Sequence, residues 1–316
     1  MSLFLLILGG LVALFFGGDL LVRGAASIAS RFGVSSLVIG LTLVGFGTSS
    51  PELVTSLQAA AAGAPGVAIG NVVGSNIANI LLILGLTAAI SPVVVTPKAF
   101  RRDGAVLVVS ALMCLGVVLA GRLEPIIGAV FVLALIGYVV FSIRQERVAG
   151  PAPEEEDGFS SDKPIWFNGL LVIGGLALTV LGARWLVAGA IDLAEAFGIS
   201  DTIIGLTVVA VGTSLPELVT SFAAARRGQG DIAFGNIVGS NIYNVLFILG
   251  VTAVVTPIDI PASIGAFDIW VMLGATAALV LTAVTGWRVT RAEGAVLLSA
   301  YVAYTSYLVA QATGAM

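Results

Sequence analysis

The sequence predicts an all-α membrane protein, with ten transmembrane helices arranged as two inverted five-helix repeats. Three observations lead there. Of the 316 residues, 58% are apolar and only 10% charged, with a mean hydropathy of +1.10; a water-soluble domain carries roughly a quarter charged residues. Ten apolar runs are long enough to cross the hydrocarbon, which takes about 20 residues. Finally, the phrase GTSSPELVTS at residues 47–56 returns as GTSLPELVTS at residues 212–221, 165 positions later.

The ten runs lie near residues 2–28, 35–61, 67–91, 104–121, 124–143, 165–189, 201–225, 230–255, 264–285 and 292–313. The first has no basic lead-in and no small-residue cleavage site, so it reads as a retained helix rather than a signal peptide. One long polar segment, RQERVAGPAPEEEDGFSSDKP at 144–164, is rich in Pro, Gly and charge. It marks a linker between a first half, 1–143, and a second half, 165–316. Its acidic run, Glu154 to Asp157, reads as a solvated face.

Basic residues orient the spans. Lys98, Arg101 and Arg102 follow the third span, and Arg144, Arg147 and Lys163 the fifth. Arg226 and Arg227 follow the seventh, and Arg288 and Arg291 the ninth. All these exits share one side, expected to be cytoplasmic; Arg122 is the clearest basic residue across from them. Both termini are then outside and the linker inside, in a plasma or inner membrane. Five is odd, so the second half enters with the opposite orientation.

The repeat extends well beyond the opening phrase. Residues 39–85 align without a gap to 204–250, and 30 of the 47 positions are identical. Composition alone does not place Gly, Thr, Ser, Pro, Glu and Asn in matched register. Inverted repeats of this kind build their sites near the bilayer midplane, where the halves meet. No oligomer is needed for that, so a monomer is expected to function. The absence of histidine removes His metal sites, Ser-His chemistry and the usual proton shuttle. Cys114, the single cysteine, is expected in an apolar environment. The net charge of −4, held in short connecting segments, supports no nucleic-acid partner.

Two motifs carry chemistry. In G-T-S-x-P-E, at 47–52 and 212–217, Pro51 and Pro216 lack an amide hydrogen and crowd the preceding turn. A broken helix survives in lipid only when buried or beside a polar cavity. The break is expected to free carbonyls. Thr48 and Ser49 add hydroxyls, and Glu52 lies four residues after Thr48, on the same helix face. Thr213, Ser214 and Glu217 repeat the set. Carbonyl, hydroxyl and carboxylate together make a hard-oxygen cage for a cation. A central carboxylate costs at least about 3 kcal/mol on insertion scales, and no basic residue stands within or beside either motif to offset it.

The second motif is G-N-x-V-G-S-N-I-x-N, at 70–79 and 235–244. Ser75 and Asn79 share a face, as do Ser240 and Asn244. Gly70 with Gly74, and Gly235 with Gly239, have the small-residue spacing that lets helices approach closely. Other charges read structurally. Asp19 and Arg23 are spaced to pair, Arg184 is expected near Asp192 and Glu195, and Asp268 suits a helix start.

The paired phrases GTSSPE…GNVVGSNIAN and GTSLPE…GNIVGSNIYN resemble the two α-repeats of the sodium/calcium exchanger family, in the calcium/cation antiporter superfamily. The short linker is similar to that of prokaryotic members. The resemblance implies transport of Ca2+ and Na+ without a cofactor, with ions bound between the repeats. It implies Thr48, Ser49, Glu52, Ser75 and Asn79 as ligands from one half, and Thr213, Ser214, Glu217, Ser240 and Asn244 from the other. Carbonyls of Gly45 and Ala210 would complete flanking sodium sites. The first and sixth spans would slide across the core. Well-known members have an aspartate where this chain has Asn244. Two carboxylates then balance one Ca2+ or two Na+; a third Na+ leaves excess charge in a low-dielectric site. Proton-coupled Ca2+ or Mn2+ exchange is the alternative, since burial disfavours a charged carboxylate. A cation channel is the reading from another class.

Overall fold

The computed structural model describes residues 3–31, 48–149, 164–226 and 230–313. Gly45, most of the linker and the first part of the second span lie outside these residues. The described chain is almost wholly helical. Helix α1 is Leu3–Arg31 and α2 is Ser50–Ala61. Helix α3 runs as Pro65–Ile77, a wider π segment Ala78–Leu84, and Gly85–Ile90. Helices α4 (Pro97–Ala120) and α5 (Pro125–Ala149) end the first half. The second half holds α6 (Ile165–Phe197), α7 (Asp201–Thr213) and α8 (Leu215–Arg226). Helix α9 follows as Gly230–Tyr243, a π segment Asn244–Leu249, and Gly250–Val255. Helices α10 (Ile264–Val284) and α11 (Arg291–Ala312) complete it.

Among the described residues, eight helices are long and apolar enough to cross a membrane, or nine if α7 and α8, bent by 43°, form one span. Their boundaries follow from local chemistry. Proline opens α2, α3 and α4 from the first turn, where its missing N–H costs nothing. Gly121, at φ 75°, ends α4 in the left-handed conformation. Thr290 and Glu293 form a reciprocal capping box at the start of α11.

Burial separates a core from a periphery. The apolar window of α3 is 94% buried and that of α9 is 78%, against 22–39% for the other long helices. Large apolar side chains such as Phe4, Phe16, Trp166, Ile173, Leu281 and Val296 face outward, as a lipid-facing belt requires. Cys114 is fully buried in the main core cluster.

The halves exchange partners. The C-terminal part of α3 packs on α11, and that of α9 packs on α5. Glycine makes both contacts close: a Cβ on Gly85 would lie 2.8 Å from Leu298 N, and one on Gly250 would lie 2.9 Å from Gly128 O. Strand β1 (Val93–Val94) pairs with β4 (Arg288–Val289), and β2 (Arg122–Leu123) with β3 (Ile258–Asp259), both antiparallel. Each ladder therefore joins one half to the other. A further matched pair lies inside each half. Tyr138 OH donates to Asp103 Oδ1 and Tyr304 OH to Asp268 Oδ1, both at 2.9 Å. Asp268 is thus buried against a phenol, rather than held by a helix end alone. Arg23 and Asp19 pair at 2.8 Å as expected. Arg184 makes no ion pair with Asp192 or Glu195 among the described residues; all three are exposed.

Helices α1 and α6 pack mainly on each other. Gly10, Gly17 and Gly24 are seven apart, and so are Gly175, Gly182 and Gly189. A Cβ on Gly10 would meet Gly182 O at 2.8 Å, and one on Gly17 would meet Gly175 O at 2.9 Å. As one number rises the other falls, so the helices are antiparallel. The seam brings the two backbones into contact, the small-residue mode of membrane packing. Gly182→Leu is expected to lower stability by about 1–3 kcal/mol through overpacking, seen as a lower melting temperature in detergent. Gly174→Leu, with nothing within 4 Å of its Cβ, should change it by no more than about 0.5 kcal/mol.

Candidate functional site

The two copies of G-T-S-x-P-E adopt the same break. Ser49 has φ −86° and ψ 3°, and Ser214 has φ −83° and ψ 8°. Both fall in the sparsely populated bridge region, where many active-site residues sit. Ser214 ends α7 and Ser49 follows Thr48, each just before a proline-led turn that carries the glutamate. Glu52 and Glu217 are each 1% exposed.

The carboxylates are served by the opposite half. Ser49 Oγ donates to Glu217 Oε1 at 3.3 Å, and Ser214 Oγ donates to Glu52 Oε1 at 3.0 Å. Thr48 flanks Glu217 and Thr213 flanks Glu52. Ser240 Oγ adds a longer bond to Glu217 Oε1 at 3.5 Å. The spacing of Thr48 and Glu52 suggests a cage closed within one half; the structure instead crosses the hydroxyls between halves.

One oxygen of each carboxylate is left over. Glu52 Oε2 and Glu217 Oε2 are buried without a hydrogen-bond partner, and so are Asn79 Oδ1 and Asn244 Oδ1. A buried acceptor without a donor is costly, and a buried carboxylate more so unless positive charge accompanies it. No ion pair among the described residues involves either glutamate, and no group of three His, Cys, Asp or Glu side chains gathers there. The donor set is therefore two carboxylates with amide and hydroxyl oxygens, which suits a hard cation of modest charge.

The remaining expected ligands lie around this centre. Ser75 Oγ donates to Ala210 O at 3.4 Å. Ala210 O also accepts the Ser214 N–H at 3.1 Å and has the Thr213 hydroxyl at 3.3 Å. This carbonyl, which the proline break was expected to free, is thus already engaged. Gly45 falls outside the described residues.

Residues that motif spacing did not single out hold the site in place. Asn71, fully buried, donates to Glu52 O at 3.2 Å and Ser56 Oγ at 2.9 Å, and its Oδ1 faces the Thr213 hydroxyl at 3.0 Å. It ties α7 to the backbone of α2 beside the glutamate. In the other half Asn236 makes one equivalent bond, to Ser221 Oγ at 3.0 Å. Asn76 accepts from Asn244 Nδ2 at 3.5 Å. Their signal in the sequence was identity between the copies: Asn71 with Asn236, Ser56 with Ser221, Asn76 with Asn241.

Comparison with known proteins gives this geometry a setting. The family model described as "Sodium/calcium exchanger protein" matches residues 2–144 and 167–310. Sodium/calcium exchanger MaX1 of Methanosarcina acetivorans is 37% identical over 344 aligned residues, covering 95% of this chain and 97% of its own. Inner membrane protein YrbG of Escherichia coli is 33% identical over 319, covering 96% and 95%. The solved structure of the sodium-calcium exchanger NCX_Mj, soaked with 2.5 mM Na+ and 0.1 mM Ca2+, matches with a TM-score of 0.66 at 34% identity, over 95% of this chain and 96% of that one.

Asn71→Leu removes three hydrogen bonds, and of their partners the Thr213 hydroxyl keeps Val209 O and Ala210 O as alternatives. It is expected to cost about 1–3 kcal/mol per buried group left unpaired, measured as a lower melting temperature in detergent. Asn236→Leu, at a half-buried position with one bond, should cost clearly less.

Proposed function

This chain belongs to the sodium/calcium exchanger family, and we propose that it exchanges Ca2+ against Na+ across the membrane by alternating access. The observation that carries the reading is the set of four buried, unpartnered oxygens on Glu52, Glu217, Asn79 and Asn244, without a basic residue paired to either carboxylate. A transported cation supplies the missing charge. The proposed ligands are Thr48, Ser49, Glu52, Ser75 and Asn79 with Thr213, Ser214, Glu217, Ser240 and Asn244, and the carbonyls of Gly45 and Ala210 at flanking sodium sites.

The proposed frame is ten spans in two inverted halves, 1–143 and 165–316, joined by a cytoplasmic linker, 144–164. Helix α2 with the residues before it, and α7 with α8, each make one broken span. The exchanged partners of the halves and the antiparallel α1–α6 seam support inversion, because equivalent surfaces meet in opposite sense. The α1–α6 pair, touching the core less than each other, is the proposed sliding element that opens the site to either side. The termini are placed outside a plasma or inner membrane.

Ion coupling follows from charge. Two carboxylates match one Ca2+ or two Na+, so the proposed exchange is electroneutral. Neutral Asn79 and Asn244 favour a second reading, in which Glu52 and Glu217 exchange Ca2+ for protons.

Proteoliposomes loaded with Na+ and diluted into Na+-free buffer should take up 45Ca2+, while a matched set with only a pH gradient should not. Uptake with the pH gradient alone would establish the proton reading, and no uptake in either set would reject both. Glu52→Gln and Glu217→Gln are each expected to abolish the flux while eluting as folded protein on gel filtration. A potassium-valinomycin potential should leave the Na+-driven rate unchanged; acceleration by inside-positive potential would require an additional Na+.

A further inference from the structure

Four asparagines lie beside the site in two matched pairs: Asn76 and Asn79 on α3, Asn241 and Asn244 on α9. Within each pair the three-residue spacing puts both on one helix face. All four are 1–2% exposed. Equivalent atoms nevertheless do different things in the two halves. Asn244 Nδ2 reaches across to Asn76 Oδ1 at 3.5 Å. The matching bond would run from Asn79 Nδ2 to Asn241 Oδ1, and both of those atoms are buried without a partner. Asn241 Nδ2 turns back to Ile237 O on its own helix at 2.7 Å. Asn76 Nδ2, by contrast, rests on Met272 Sδ at 3.7 Å.

The chemistry of the unmade bond is complementary. A buried amide donor and a buried amide acceptor each cost free energy while unpaired, and each is what the other lacks. Asn79 and Asn244 also sit at the start of π segments, 78–84 and 244–249. Such segments interrupt the regular helical ladder and recur at functional positions. The bond that is made is long, near the limit of hydrogen-bond geometry, and is readily exchanged. With its Nδ2 engaged, Asn244 keeps Oδ1 without a protein partner, available to a cation.

We propose that Asn76 and Asn241 are positioning residues, each holding the ion-site asparagine of the other half in one of two states of the transport cycle. In this structure Asn76 holds Asn244. In the opposite-facing state Asn79 closes on Asn241, and the Asn76–Asn244 bond opens. The inference rests on the exchange reading and on the inverted relation of the halves. It assigns the middle asparagine of each copy of the second motif a role distinct from ligation. Each sets which amide oxygen is presented when the site faces a given side.

Two measurements test it. Asn76→Leu keeps the side-chain size and removes the acceptor. It should raise the half-saturating Ca2+ concentration about tenfold at one membrane face, the scale of one buried hydrogen bond, with less than a twofold change at the other face. The change should fall on apparent affinity more than on maximal rate. Asn241→Leu should do the same at the opposite face, as read in right-side-out and inside-out vesicles. Equal shifts at both faces, or no shift, would overturn the inference. A second test needs no transport. In a Cys114→Ser background, Asn76→Cys with Asn244→Cys, and separately Asn79→Cys with Asn241→Cys, are treated with a short bifunctional thiol reagent. Both pairs should cross-link, and a chain carrying all four substitutions should gain one cross-link per molecule. Two cross-links in one molecule, or none at 79 and 241, would reject alternation. Wild-type protein that moves no Ca2+ under any gradient would defeat the exchange reading, while the cross-link count still judged the asparagines.

Discussion

A carboxylate held away from water must find positive charge or hydrogen-bond donors, and Glu52 and Glu217 find donors for only one oxygen each. That shortfall organises the molecule. Each glutamate draws a hydroxyl from the other half, so neither half holds a finished site. The core helices α3 and α9 must then approach closely enough for Ser75, Asn76, Ser240 and Asn244 to enter the same space, and their burial follows from that demand. The break at Ser49 and Ser214 follows as well. An unbroken helix would leave no backbone turn beside the glutamate, and the serine would point along its own helix rather than across to the other half.

The surrounding helices serve this centre differently. Helices α5 and α11 brace the ends of α9 and α3 through glycine contacts, and the two short ladders tie connecting segments across halves. Asp103 and Asp268, each held by a tyrosine, pin α4 to α5 and α10 to α11. The equivalence is incomplete. Arg102 adds an ion pair to Asp103, whereas Phe267 stands before Asp268 and stacks on Tyr304. Helices α1 and α6 lack such ladders and tyrosine–aspartate pins among the described residues; besides their own seam, Leu14, Ala183, Leu186 and Val187 pack on Ala59, Val67 and Ala68 of the core.

Much of the site was legible because its residues occur twice. Matched Thr, Ser, Pro, Glu and Asn stood out against an apolar background, and the structure bonds Ser49 and Ser240 to Glu217 and Ser214 to Glu52. The exchange between halves was not legible. Spacing places Thr48 on the face of Glu52, but nothing local says that Ser49 bonds Glu217 instead. The π segments were hidden for a similar reason, since apolar periodicity is nearly the same with one residue more per turn. Asn71 carried the same signal as Asn79, identity in both copies, but its role depends on Thr213 in the other half. Asp268 looked like a helix-end charge because its partner, Tyr304, lies 36 residues away. The equal offset of Asp103 and Asp268 was the available clue.

The crossed ladders have a consequence for how such a chain came about. β1 meets β4 while β2 meets β3, and α3 meets α11 while α5 meets α9. These are the contacts of an isologous dimer, in which one patch on each copy meets the other patch on its partner. A pair of identical halves would make the same crossed contacts. Joining two copies in one chain makes the association intramolecular, at high effective concentration. It also frees the copies to diverge. Arg102 against Phe267 is a difference that a dimer of identical subunits could not encode.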